Sequence, residues 1–201
     1  MQKKLTDNQQ IILASSSQTR KRILGEYLQN FKAVKHRANE KLLKESAKDL
    51  TYRELVKLLA KKKAESVNAN YPEQLIIGSD QILVCESILI DKPEDLKKAK
   101  KNLMFMKGKR HKLLSSIFVI KSGLFYYQKI KEAELFFKNI SEKQIDEYLR
   151  KKKETILNSV GSYKIEENQE FNFMEIIKGD LETIMGFPIQ NFIKKLSKEK
   201  I

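Results

Sequence analysis

Asp80 stands in QLIIGSDQILVCES, a run of apolar residues in which a carboxylate is out of place. Burying such a group unpaired is expensive, so it needs a partner: a metal ion, a cationic ligand, or the amides of a turn beside Gly78. The first two make Asp80 a candidate for chemistry and the third a structural aspartate; the residue type leaves both open. A second candidate lies in IILASSSQTRKRIL, where an apolar strand ends in Ser15, Ser16 and Ser17 and passes into a helix-like segment with Arg20 and Arg22. Free backbone N–H groups, hydroxyls and guanidinium charge converge there. A helix N-terminus favours an anion by about 0.3–1 kcal/mol, so the set would cradle a phosphate. A serine N-cap beside surface arginines has the same spacing. Glu40 follows a strand-like run, while Lys63 and Lys92 are common types in a lysine-rich chain; nothing local singles them out. His36 and His111 stand too far apart, and too far from Cys or carboxylate partners, for a zinc site. His111 reads as a strand-start residue.

Composition limits what these residues can serve. A chain of 201 residues fits one domain, or one domain with two lobes, and can bury a real core. Its 41% hydrophobic content, with no apolar run of membrane-spanning length, is that of a soluble globular protein. The stretch MQKKLTDNQQ is basic and polar, and only about four apolar residues follow it, too few for a signal-peptide core. The single Cys85 permits no intramolecular disulfide and reads as strand packing. A cytoplasmic location is the expectation. The net charge of +14, from 40 basic and 26 acidic residues, points to anionic partners such as nucleotides, nucleic acid or acidic lipid. Only six of the 40 are arginines, the type suited to bidentate phosphate and base recognition. Neither a Cys/His zinc pattern nor an aromatic ribonucleoprotein strand is present. Much of the lysine, including the runs Lys61–Lys63 and Lys151–Lys153, therefore reads as solvated surface, and neither a specific nucleic acid nor a membrane partner is expected.

The elements that must position the candidates alternate between strand and helix. Gln10–Ala14 reads as a buried strand, Thr19–Gln29 as a helix, and Phe31–Arg37 as a strand. Thr51-Tyr52-Arg53-Glu54 is a capping box opening a helix to about Asn68, with Leu55, Leu58, Leu59 and Val67 on its apolar face. The strand through Gly78-Ser79-Asp80 breaks there and resumes. Pro93-Glu94-Asp95 starts a helix ending near Met106. Strands follow at Lys112–Lys121, Phe125–Ile130 and Ala133–Phe137, with a hairpin turn at Ser122-Gly123. Ser141 caps a helix to about Lys152. Short strands around Tyr163–Ile165 and Phe171–Ile177 precede a last helix opened by Gly186-Phe187-Pro188.

Eight spaced motifs carry a resemblance. Ser15-x-Ser17-x-x-Arg20, Lys63-Ala64, Ile77-Gly78-Ser79-Asp80-Gln81 and Asp91-Lys92-Pro93 come first. Gly108-x-x-His111, Val160-Gly161-Ser162-Tyr163, Ile177-x-Gly179-Asp180 and Gly186-Phe187-Pro188 follow. In that order, from about Ile11 to Leu196, they resemble the Maf family of nucleoside triphosphate pyrophosphatases. The resemblance implies an α/β fold: one Maf-like domain over residues 1–201, two-lobed, with a strongly twisted mixed β-sheet flanked by helices, similar to the inosine triphosphate pyrophosphatases, and a central cleft. It implies cleavage between the α and β phosphates of a nucleoside triphosphate, yielding nucleoside monophosphate and pyrophosphate, with Mg2+ or Mn2+. Carried over by position, Asp80, Lys63, Lys92 and Glu40 match the catalytic set, with Asp80 and Glu40 as metal ligands. Ser15, Ser17 and Arg20 match the phosphate-binding motif. A homodimer is compatible with the family.

The departures bear on the base. The family usually has proline at Gln18 and arginine or tryptophan at Thr19. Members acting on dTTP and UTP often carry Ala-Asp-Thr where this chain has Ser79-Asp80-Gln81, and glutamine at Glu166. The present residues look like the branch that prefers 7-methyl-GTP, whose positively charged base suits a carboxylate. Thr19, Gln81 and Glu166 are accordingly the expected specificity residues, although Thr19 offers no aromatic face for stacking. The preferred base, among 7-methyl-GTP, UTP, CTP and dTTP, stays open. So does a reading from another class, a non-catalytic regulator of septum formation that binds protein or RNA.

Overall fold

The structure, a computed structural model, describes residues 10–199; most of the basic N-terminal stretch lies outside them. β1 (Ile11–Ala14) is buried at all of its positions, as a strand flanked by parallel neighbours should be. α1 (Gln18–Tyr27) returns the chain to β2 (Phe31–Val34), which pairs with β1 in parallel. α2 (Glu40–Ser46) and α3 (Tyr52–Asn68) follow. The capping box is present: Thr51 Oγ1 accepts from the Glu54 N–H, and the Glu54 carboxylate accepts from the Thr51 N–H. β3 (Leu75–Cys85) runs parallel to β1 and antiparallel to β4 (Ile88–Ile90). Next come α4 (Leu96–Met106), β5 (Arg110–Lys121), β6 (Leu124–Phe137), α5 (Glu142–Ile156) and α6 (Asn168–Phe171). β7 (Met174–Lys178), α7 (Leu181–Ile184) and α8 (Gln190–Lys198) complete the described chain. The mixed, seven-stranded sheet has the order β2-β1-β3-β5-β6-β7, with β4 on β3.

Two compact units divide these elements. The first takes the chain up to Asp80, Ser115–Lys131 and the residues from Gly186; the second takes Gln81–Leu114 and Glu132–Met185. The core of the first joins α3 to the sheet through Ile12, Ala60, Ala64, Val67, Ile76 and Phe118. In the second, Tyr148 meets Phe173 edge-on at 4.8 Å and Phe173 lies 5.4 Å from Phe137, centroid to centroid. No helix among the described residues is long and apolar enough to cross a membrane.

Several expectations are corrected. β3 is uninterrupted over 11 residues, because Gly78, Ser79 and Asp80 each find a neighbour that suits them inside the strand. The break expected between Ile130 and Ala133 is absent: β6 runs through it, and Glu132, within the gap, pairs with Lys112 at 3.0 Å. Tyr163–Ile165 forms no strand; it lies between two short 3-10 turns, the first held by Gly161 at φ +76°. α4 begins at Leu96 with Asp95 as its N-cap, and the last helix begins only at Gln190. Leu58 is half-buried, whereas Lys63, read as part of a solvated run, lies on the buried face of α3.

Candidate active site

Ser15 is buried at the end of β1, and its Oγ accepts from the Ser17 N–H at 3.2 Å. Ser17 is the N-cap of α1, its Oγ accepting from the Arg20 N–H at 3.4 Å. The first turn of α1 holds no acid, so the helix's own residues do not neutralise its positive end. Arg20 reaches back across the unit. Its Nε–H donates to the Gly186 carbonyl at 3.1 Å and a terminal N–H to the Ser79 carbonyl at 2.8 Å. Burial lowers the guanidinium pKa, against the pull of Asp80 and Glu40. Thr19 is half-exposed on the same turn.

The other half of the site is set by a close approach of helix to strand. A Cβ at Gly78 would lie 2.2 Å from the Ala60 carbonyl oxygen and 2.7 Å from the Ala64 nitrogen, so only glycine lets α3 lie this near β3. Side chains alternate along a strand, so Asp80 shares the Gly78 face and meets α3. Lys63 Nζ lies 2.8 Å from Asp80 Oδ1 and 2.9 Å from Glu40 Oε1. Lys63 is 3% exposed and Asp80 5%, so the ammonium supplies the partner that a buried carboxylate requires. On the opposite face Ser79 Oγ donates to the Gly186 carbonyl at 3.1 Å. Ser15, Ser17, Arg20, Glu40, Lys63 and Asp80 thus all belong to the first unit.

Among the described residues no group of three or more His, Cys, Asp or Glu side chains could hold a metal ion. Asp80 and Glu40 instead present two carboxylates, hard oxygen donors by type, drawn to one ammonium. That set fits Mg2+ or Mn2+, which bind through one or two carboxylates and take their other ligands from phosphate oxygens and water.

Lys92, Gln81 and Glu166 belong to the second unit. Lys92 is exposed between β4 and α4, and Glu166 is exposed in the 3-10 turn Ile165–Glu167. The Gln81 amide nitrogen donates to the carbonyls of Thr183 at 3.0 Å and Ile184 at 2.9 Å. His111 is buried there, Nε2 2.6 Å from the Tyr163 hydroxyl, and desolvation lowers its pKa to about 4. Cys85 is buried in β3, as strand packing requires. Sequence reasoning gave no role to His36, whose Nε2 lies 3.4 Å from Glu40 Oε1; its i,i+4 spacing to Glu40 was the available signal.

The family model described as Maf-like protein matches residues 10–199. A 7-methyl-GTP pyrophosphatase of Rhizobium etli is 35% identical over 191 residues, covering 92% of this chain and 94% of that protein. A nucleoside triphosphate pyrophosphatase of Granulibacter bethesdensis is 32% identical over 181 residues, covering 89% and 91%. Among solved structures, a HAM1 protein from Coxiella burnetii covers 96% of this chain and 98% of its own, at 13% identity and a TM-score of 0.46. With the match running through every described residue and the relatives aligned over nearly their whole length, the chain belongs to the Maf family.

Proposed function

We propose that this protein hydrolyses the α–β phosphate bond of nucleoside triphosphates, releasing nucleoside monophosphate and pyrophosphate. The observation that carries the reading is the buried Asp80, in ion-pair contact with a Lys63 ammonium that also holds Glu40. Hydrolysis of a phosphoanhydride needs charge neutralisation and a positioned water more than a covalent nucleophile. The N-terminus of α1, with Ser15, Ser17 and Arg20, receives the phosphates, and Lys63 and Lys92 add positive charge. Asp80 accepts the proton of the attacking water as general base. A divalent cation held by Asp80 and Glu40, once bound, supplies Lewis-acid neutralisation of the phosphate oxygens.

We extend the proposal to 7-methyl-GTP as a favoured substrate. Relatives at 30–35% identity carry that activity in their names. The Gln81 amide nitrogen donates to two carbonyls, which fixes the side chain, and base reading falls to Gln81 together with the Glu166 carboxylate. Pyrophosphate release from 7-methyl-GTP, GTP, UTP, CTP and dTTP, with and without Mg2+ or Mn2+, tests both statements. Metal-stimulated pyrophosphate release is expected; release of orthophosphate alone, or none, contradicts the reaction. Glu166→Gln should lower kcat/KM for 7-methyl-GTP roughly ten- to a hundredfold, the cost of one charged hydrogen bond, and spare the pyrimidines. Equal losses on all substrates contradict base reading.

A further inference from the structure

Glu40 is the first residue of α2, and α2 contributes no buried side chain of its own. Core packing therefore does not fix where this carboxylate stands. Its N-cap, Asn39, accepts from the Leu42 N–H at 3.2 Å, which shapes the helix start but ties it to nothing outside α2. A tie from outside α2 comes from α3. Ser66 Oγ donates to the Lys63 carbonyl at 2.8 Å and accepts from the Arg37 N–H at 3.0 Å. One hydroxyl thus joins the loop leading into Glu40 to the residue whose side chain Glu40 must meet. His36, on the same loop, brings Nε2 to 3.4 Å from Glu40 Oε1, the oxygen that Lys63 Nζ also approaches at 2.9 Å.

We infer that Ser66 is a positioning residue: its hydroxyl clasps the 35–39 loop to the Lys63 turn of α3 and so holds Glu40 in register with Lys63 and Asp80. This rests on the reaction proposed above. Loss of the clasp leaves every reacting group in place chemically and loosens only its geometry, and misplacement of about 1 Å can lower a rate about a hundredfold. Thr keeps the hydroxyl, Ala does not, and at a partly exposed helix position both are tolerated.

The test uses the full-length protein and three measurements. Amide hydrogen exchange at Arg37 should quicken at least about tenfold in Ser66→Ala and return towards wild type in Ser66→Thr, following the loss and recovery of one hydrogen bond. With 7-methyl-GTP and UTP, kcat should fall roughly tenfold in Ser66→Ala with KM changed less than about threefold, and Ser66→Thr should restore it. Circular dichroism confirms the fold; if Ser66→Ala does not fold, Ser66→Cys, similar in size and a weak acceptor, takes its place. Unchanged Arg37 exchange overturns the clasp. Faster exchange with kcat unchanged overturns the positioning role, and so does a loss that Thr does not rescue. These failures differ from failure of the reaction itself, which is a wild-type protein that releases no pyrophosphate from any of the five nucleotides.

Discussion

Lys63 Nζ lies 2.8 Å from Asp80 Oδ1 because Gly78, two residues earlier in the same strand, lets α3 approach β3 more closely than any side chain would allow. A strand residue with no side chain thus determines where a buried charge finds its partner. The consequence is a pair whose members depend on each other. Lys63→Met should destabilise the protein by about 3–5 kcal/mol, the cost of leaving a buried charge alone. Adding Asp80→Asn should recover part of that loss, since the stranded carboxylate is gone. Urea unfolding of the single and double variants checks this; Lys63→Met within about 0.5 kcal/mol of wild type, the range of an ordinary surface change, contradicts the pairing.

In the proposed reaction Arg20 binds phosphate rather than base. Arg20→Ala should raise KM by roughly ten- to a hundredfold for purine and pyrimidine triphosphates alike, the energy of hydrogen bonds to a charged group. Arg20→Lys should recover little of it, because the guanidinium fork also holds the Ser79 and Gly186 carbonyls. Steady-state kinetics across the nucleotides decide; a loss confined to one base would move Arg20 out of the phosphate site.

Acid should unfold the protein partly through His111. Its folded pKa, about 4, lies below the ordinary 6.5 because burial disfavours the imidazolium. Between those values the unfolded chain binds more protons than the folded one, so stability rises with pH. The contribution is full above pH 6.5 and is lost as pH falls towards 4; it amounts to about 3 kcal/mol. Denaturation curves from pH 4 to 7 should show this slope in wild type and a shallower one in His111→Gln. Equal slopes contradict it.

The parts legible in the sequence are local. The capping boxes at Thr51 and Ser141 are each written within four residues, and both are present. Asp80 was visible as a carboxylate among apolar neighbours. Its partner was not, because the charge pattern places Lys63 in a solvated run and only the family motif singles it out. What buries Lys63 is the approach at Gly78, a meeting of two elements that no local pattern encodes. The same holds for Arg20, whose carbonyl partners stand 59 and 166 residues away in the chain. β3 reads as broken in the sequence for a related reason: Gly-Ser-Asp resembles a turn until the groups that satisfy it arrive from α3 and from Gly186.

Asp80 acts as general base in the proposed reaction, and its replacement by asparagine tests that claim most directly. The amide keeps the shape of the carboxylate and can still accept from Lys63, so Asp80→Asn should fold, with the wild-type circular dichroism spectrum. Its kcat for pyrophosphate release should fall at least about a hundredfold, as loss of a general base does. A folded Asp80→Asn protein that releases pyrophosphate within about threefold of the wild-type rate, far less than that loss, would make Asp80 structural and contradict the mechanism.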